Sequence, residues 1–289
     1  MEHEQYARAI RNEGLDLAAA ARIAGVDADV PSCPKWKVAD LLGHLGRIHR
    51  SVTRIVVDRA TERGKHWSET EPPPVEQLLE WFEQGVAPLA DALLAAGPAV
   101  ALWTWTPDKT SGFWARRQAN ETAVHRWDAQ LAARAVEPIE RDLALDGIDE
   151  FFGLIPFWPW ADRVRGNGET LHFHSTDGEG EWLARLGNDG VVITAEHAKG
   201  DVAARGTASD LLLFLYGRVS ADDLEVFGDA SLLARWRELG SWRPRWRRGA
   251  RRARARAAPR VLPATPGPYR ATRSSTGRRT GRTGPRRTP

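Results

Sequence analysis

Glu121 and His125 are the first residues in this sequence whose types and spacing suggest shared chemistry. They stand four positions apart in the segment RRQANETAVHRWDAQ (116–130). Side chains at this spacing lie on the same face of a helix, so the carboxylate and the imidazole would be neighbours. Both groups are common zinc ligands. Taken alone, the same spacing also fits an ordinary Glu–His pair that faces water.

A third ligand can come from the preceding histidines, His44 and His49. A catalytic zinc site takes three protein ligands and keeps a fourth coordination position open, so either histidine would complete the set with Glu121 and His125. Helical geometry does not choose between them. His49 lies near the middle of the apolar stripe of its helix, where a hydrogen-bonded core histidine is an equal alternative. His44 lies at the edge of that stripe.

The remaining histidines offer no comparable set. His172 and His174 would share one face of a strand, but we identify no third ligand for them from the spacing. His197 likewise lacks a partner at ligand spacing.

Three other residues are candidates for supporting roles. Arg218 follows a buried helix and is our candidate for pairing with a substrate carboxylate, although an arginine near a helix C-terminus also has a structural explanation. Asp128 could orient a metal ligand, but an exposed aspartate is the simpler interpretation. Cys33 precedes the second helix, and we give it a structural or neutral role.

The elements that must position these residues are amphipathic helices. Apolar side chains recur every three or four positions, and the connections are polar or contain proline. The predicted ranges are 4–24, 37–62, 75–96 and 112–135, with Ser111 as the N-cap of the last helix. Helices of this length with polar connections predict a four-helix bundle.

After Pro138 the pattern becomes α+β. We predict helices over 142–153, after an N-cap at Thr207, and over 229–239, with strands over 169–175, 181–186 and 190–195. The sequence thus predicts an α+β two-domain protein, with a bundle over 1–137, a small α+β domain over 138–245 and a disordered Arg-rich tail over 246–289.

Charge separates the tail from the rest of the chain. The residues from Ser241 onward hold 16 of the 41 basic residues and none of the 38 acidic ones, so 25 basic residues face 38 acidic ones before Ser241. The tail has little to bury, which predicts disorder. Its arginines would attract phosphates without sequence specificity, so a nucleic-acid-associated regulator is an alternative that depends on the tail alone.

The rest of the composition excludes several classes of protein. A single cysteine excludes an intrachain disulfide and a cysteine zinc cluster. The N-terminus is charged and lacks the apolar core of a signal peptide. No apolar run approaches the length of a membrane span. We therefore expect a soluble cytoplasmic protein without a membrane partner.

Two segments resemble the signature segments of the mycothiol-dependent maleylpyruvate isomerase family, which belongs to the DinB-like metal-binding bundles of actinobacteria. They are CPKWKVADLLGHLGRIHR (33–50) and FWARRQANETAVHRWDAQ (113–130). A third stretch, HSTDGEGEWLARL…GTASDLLLFLYGR (174–218), is similar to the sterol-carrier-like C-terminal domain of that family. The resemblance extends over roughly residues 5–240 and implies a DinB-like fold for the bundle.

The resemblance also implies the ligand set. Family members bind a divalent metal, usually zinc, through the histidine eight residues after the tryptophan that opens the second helix. Counting from Trp36 favours His44 over His49, and Glu121 and His125 match the other two ligands directly. Asn120 departs from the family, which often has histidine there, and we expect it to pack or to support a ligand.

The activity implied is an isomerase or S-transferase that uses the thiol cofactor mycothiol on a small electrophile. A free thiol has a pKa of about 8.5, and metal coordination would convert it into the reactive thiolate. A small-molecule substrate and a low-molecular-weight thiol are then the expected partners. The alternatives are a hydrolase with a metal-bound water as nucleophile and a non-enzymatic protein that binds a small ligand.

Overall fold

The N-terminal part of the chain is helical, as predicted. The computed structural model describes residues 1–64 and 70–240, so the predicted tail and its contact with nucleic acid lie outside the described residues. The helices before residue 137 are α1 (His3–Ala24), α2 (Val38–Val57), α3 (Leu78–Ala96) and α4 (Ser111–Ala133). They pack as a bundle in which α4 contacts each of the other three.

The ends of these helices follow from local backbone chemistry. Thr110, and not Ser111 as predicted, is the N-cap of α4, because its hydroxyl accepts a hydrogen bond from the amide of Phe113. Helix α2 ends at Val57, before the predicted residue 62, and Arg59 just beyond it has a left-handed φ of 47°. Helix α4 ends in the same way, with Arg134 at φ 58°. A left-handed residue cannot continue a right-handed helix.

The C-terminal part has the predicted α+β character. Within residues 138–240, a five-stranded sheet has the order β3-β2-β1-β4-β5, with β1 parallel to β4 and the other neighbours antiparallel. The α-helices and strands of this C-terminal part are α5 (Arg141–Leu154), β1 (Thr170–Ser175), β2 (Glu181–Gly187), β3 (Gly190–Thr194), β4 (Val202–Gly206), α6 (Ala208–Leu215), β5 (Glu225–Gly228) and α7 (Ala230–Gly240). The division at residues 137 and 245 stays a prediction.

Strands β4 and β5 were not predicted from the sequence. Their segments, VAARG and EVFG, are short and carry few large apolar side chains, so they lack a clear alternating pattern. Pairing with β1 supplies the missing stabilisation for β4, and β5 in turn pairs with β4.

The two faces of the sheet have different surroundings. On one face, Phe173 of β1 packs against Phe152, Phe214 and Trp236, which come from α5, α6 and α7. Alternation along a strand places His172 and His174 on the opposite face. One apolar cluster continues from α4, through Trp114, into this helix-covered side of the sheet.

Among the described residues, none of the helices combines the length and the apolar character needed to cross a membrane.

Close packing where α4, α5 and α6 meet allows a direct test. A Cβ atom on Gly147 would lie 2.8 Å from Oδ1 of Asn120 and 2.9 Å from Cδ2 of Leu212, whereas one on Gly153, in the same helix, meets no atom within 4 Å. We expect Gly147→Ala to lower the free energy of unfolding by about 1–3 kcal/mol. Gly153→Ala should raise it by about 0.5–1 kcal/mol, because alanine is the better helix former. Urea unfolding of the two variants checks this, and equal stabilities would contradict the packing described.

Candidate metal centre

His44, Glu121 and His125 converge on one point between α2 and α4. Their potential ligand atoms all lie within 4.8 Å of one another. Nε2 of His44 is 3.4 Å from Oε1 of Glu121, and the two imidazole rings meet edge to face with their centroids 5.4 Å apart. Two imidazoles and one carboxylate are thereby brought together from residues that lie far apart in the sequence.

Asp128 determines which nitrogen of His125 faces this point. The two side chains are one helical turn apart on α4, and Nδ1 of His125 is 2.8 Å from Oδ2 of Asp128. An ionised carboxylate can only accept, so Nδ1 carries a proton and Nε2 is the ring nitrogen available to bind a metal ion. Metal-binding histidines are commonly oriented by a carboxylate in this way.

Asp128 is fully buried, so our interpretation of it as an exposed aspartate was wrong. Arg218 contacts both of its oxygens, with Nε 3.1 Å from Oδ1 and Nη2 2.9 Å from Oδ2. The hydroxyl of Ser32 also donates to Oδ1, at 2.5 Å. Burial alone would raise the pKa of Asp128, but the Arg218 charge and the hydrogen bond from His125 outweigh it and hold the pKa well below its usual range.

Arg218 reaches Asp128 because the chain reverses just after α6. Gly217 has a left-handed φ of 73°, and the amide of Arg218 bonds back to the carbonyl of Leu213. The guanidinium is buried, and its third nitrogen, Nη1, donates to the carbonyl of Tyr216 at 2.9 Å. All three guanidinium nitrogens thus have partners within the protein.

Glu121 is held as a carboxylate by the groups around it. Its Oε2 is 3.3 Å from Nε of Arg117. Nη1 of the same guanidinium donates to Glu150 at 2.7 Å and to the hydroxyl of Tyr216 at 3.1 Å. Burial would raise the pKa of Glu121, but the hydrogen bond from His44 and the Arg117 charge outweigh that effect and lower it well below its usual range. Burial lowers the pKa of His44, which favours the neutral ring that metal ions bind.

The second histidine of α2, His49, lies in the core of the bundle. It is fully buried, its Nε2 is 3.1 Å from the Thr122 hydroxyl, and its ring packs 5.5 Å from that of Phe82. Burial lowers its pKa to about 3, so the ring is neutral. His49 is not a member of the group of converging donors, and its surroundings are those of a hydrogen-bonded core histidine.

Three further residues lie near these side chains. The ring of Trp36 lies 5.1 Å from that of His44 and stacks at 6.1 Å on that of His125. Burial and the nearby Asp128 charge raise the pKa of Cys33 to about 12, so its thiol is protonated at neutral pH. The amide of Asn120 donates to Asp146 of α5 at 3.1 Å, which is a packing contact between α4 and α5.

The buried pair between Asp128 and Arg218 generates a stability prediction. Asp128→Ala leaves a buried guanidinium without its counter-charge, so it should lower the free energy of unfolding by about 3–5 kcal/mol. The exposed Asp142, which pairs with Arg141, is the control, and Asp142→Ala should cost at most about 0.5 kcal/mol. Adding Arg218→Met to Asp128→Ala should recover part of the loss. Denaturant unfolding measures all three, and equal costs for the two aspartates would refute the pairing.

Comparison with known proteins identifies two family domains in the chain. The family model of the mycothiol maleylpyruvate isomerase N-terminal domain matches residues 7–130, and that of the MDMPI C-terminal domain matches residues 142–235. A crystal structure of the mycothiol-dependent maleylpyruvate isomerase, and one of a histidine-to-alanine mutant, each superpose with a TM-score of 0.54 at 12% identity. Each comparison covers 78% of this chain and 93% of the other, so the fold is shared.

None of the curated protein sequences matches this chain. The two family models together span most of it, and the convergent ligand set lies in the first of them. The chain belongs to the mycothiol-dependent maleylpyruvate isomerase family.

Proposed function

We propose that this protein is a zinc-dependent isomerase or S-transferase that uses mycothiol to act on a small electrophile. The observation that carries the proposal is the convergence of His44, Glu121 and His125, with His125 oriented by Asp128. Membership of an isomerase family supports the reaction class and the choice of thiol. Maleylpyruvate, the substrate named for the related structures, is the first compound to test.

The donor set fits a divalent metal. Two imidazoles and one carboxylate are the ligand types of catalytic zinc sites, and three protein ligands leave a fourth position open. Asp128 and Cys33 do not fill that position, because Asp128 is engaged by Arg218 and the Cys33 thiol is protonated. A cation held there supplies a Lewis acid that favours the deprotonated form of a thiol placed beside it.

The protein's own residues would orient and insulate the reaction. Asp128 holds the His125 ring in one tautomer, and Arg117 keeps Glu121 ionised. Trp36 covers the two imidazoles on one side and limits the access of water. These groups supply positions and charge, and the nucleophile comes from outside because the only cysteine is buried and protonated.

Arg218 is best described as a positioning residue that acts through Asp128. Its three nitrogens are occupied by Asp128 and by the Tyr216 carbonyl. Direct pairing with a substrate carboxylate, the role expected from the sequence, would require the guanidinium to leave Asp128. That catalytic role stays a prediction.

The ligand assignment predicts the metal content of variants. His44→Ala, Glu121→Ala and His125→Ala should each bind one equivalent of zinc fewer than the wild type, because three-ligand sites do not survive loss of a ligand. His49→Gln, which keeps a group able to bond Thr122, should bind as much as the wild type. Asp128→Asn should weaken zinc binding about 10–100-fold by releasing the His125 ring. Elemental analysis after dialysis measures this, and loss in the His49 variant with retention in the His44 variant would reverse the assignment.

The thiol requirement predicts a spectroscopic response. Mycothiol added to the cobalt-substituted protein should change the visible cobalt spectrum if the thiol sulfur enters the open position, and His125→Ala should abolish the change. Turnover of maleylpyruvate and other electrophiles should require mycothiol, and Cys33→Ser should leave that turnover intact. Turnover without thiol, with an unchanged cobalt spectrum, would instead identify a hydrolase. Binding of a small molecule without any turnover would identify a ligand-binding protein.

A further inference from the structure

A second group of metal-ligating side chains lies on the sheet face that is turned away from α5, α6 and α7. His172, His174, Glu181 and His197 bring one potential ligand atom each to within 4.8 Å of the others. No third donor for His172 and His174 is evident from the sequence spacing, but the structure brings two more potential donors close to them. The two further donors come from β2 and from the connection between β3 and β4.

The topology of the sheet assembles this group. His172 and His174 alternate with core residues along β1, so both project from the outer face. Glu181 lies directly opposite His174 in the antiparallel pairing of β1 and β2, which places their side chains on the same face. His197 belongs to the segment 195–201, which connects β3 to β4, and its ring contacts Glu181 on this face.

The distances show a carboxylate surrounded by three imidazoles. Nδ1 of His174 and Nδ1 of His197 each lie 2.7 Å from Oε1 of Glu181. Nε2 of His172 lies 3.8 Å from Oε2 of the same carboxylate, which is beyond hydrogen-bonding distance. The three ring centroids are 5.7–6.2 Å apart.

His172 is the residue that the hydrogen bonds to Glu181 leave unexplained, because its Nε2 reaches the carboxylate only at the longer distance of an ion pair. Two histidines donating to one carboxylate form a complete arrangement without a third. His172 is only 6% exposed, yet its Nε2 has no hydrogen-bond partner. Buried imidazole nitrogens normally have a hydrogen-bond partner. A buried nitrogen that faces this group without one therefore indicates that the group binds something, such as a metal ion.

We propose that His172, His174, Glu181 and His197 form a second metal site, for a divalent transition ion of the zinc type. Imidazole nitrogens with one carboxylate suit zinc, nickel or copper, whereas calcium and magnesium prefer oxygen ligands alone. Tetrahedral bonds of about 2.0–2.1 Å separate ligand atoms by about 3.3 Å, so small side-chain shifts suffice. On binding, the ion takes the place of the Nδ1 protons that bond to Glu181; a neutral ring then carries its proton on Nε2 by exchange with solvent, and an imidazolium ring releases one proton to solvent.

Four protein ligands assign this site a structural role. A filled tetrahedral set leaves no position for a substrate, in contrast to the three donors between α2 and α4. The bound ion would attach the 195–201 segment, through His197, to strands β1 and β2. The inference is independent of the proposed isomerase activity, because the two groups of ligands share no residue.

Zinc stoichiometry of the full-length protein tests the proposal. The wild type should bind two equivalents, and His174→Ala or Glu181→Gln should each bind one. Arg185→Ala is the matched control, since Arg185 projects from the same face of β2 outside the group, and it should bind two. His44→Ala should lose the other equivalent, so the two sites fail separately. Retention of wild-type zinc content by His174→Ala would overturn the proposal.

Two further readouts distinguish a four-ligand site from surface binding. Zinc should shift the Nδ1 resonances of His174 and His197 and the Nε2 resonance of His172 in long-range nitrogen–proton NMR spectra. Zinc should also slow tryptic cleavage after the exposed Lys199 in the wild type but not in His174→Ala. Zinc binding that leaves the His172 resonance unmoved would overturn the proposed ligand set.

Discussion

Helix α4 is buried on nearly every side, although its sequence contains arginine, glutamate, aspartate and histidine. A charged group removed from water is strongly destabilising unless a partner of opposite charge satisfies it. Each charge on α4 is therefore matched by a residue of another element. Arg126 bonds to Glu13 of α1, and Arg117 bonds to Glu150 of α5. This requirement connects the bundle to the rest of the chain. It also places Glu121 and His125 beside α2 as ionised or hydrogen-bonded side chains that could bind a metal.

The contact between Asp128 and Arg218 makes the geometry of the candidate metal centre depend on both parts of the chain. Arg218 follows α6 in the C-terminal part, yet it fixes the carboxylate that orients His125. A change in the turn after α6 would therefore alter the position of Nε2 of His125. The C-terminal α+β part is on this view a structural component of the site, even though it contributes none of the three converging donors.

The number of ligands separates the two groups of donor side chains. Between α2 and α4, three potential ligands are mostly buried and would leave a coordination position open, as in catalytic zinc sites. On the sheet, four donors include the largely exposed His197 and would close the coordination sphere. Both groups use imidazole and carboxylate, so residue type alone does not distinguish their roles. The burial of the side chains and the number of ligands distinguish the two roles.

The sequence by itself determined the features that depend on local periodicity. It placed the four long helices within a few residues of their ends, and it put Glu121 and His125 on one face, because a helix brings positions four apart together. Only the tertiary structure decided what each face packs against. It placed His49 in the core and joined Arg218 to the buried Asp128 across 90 residues. It also paired β4 with β1 and brought His197 to Glu181, because such contacts depend on the path of the whole chain.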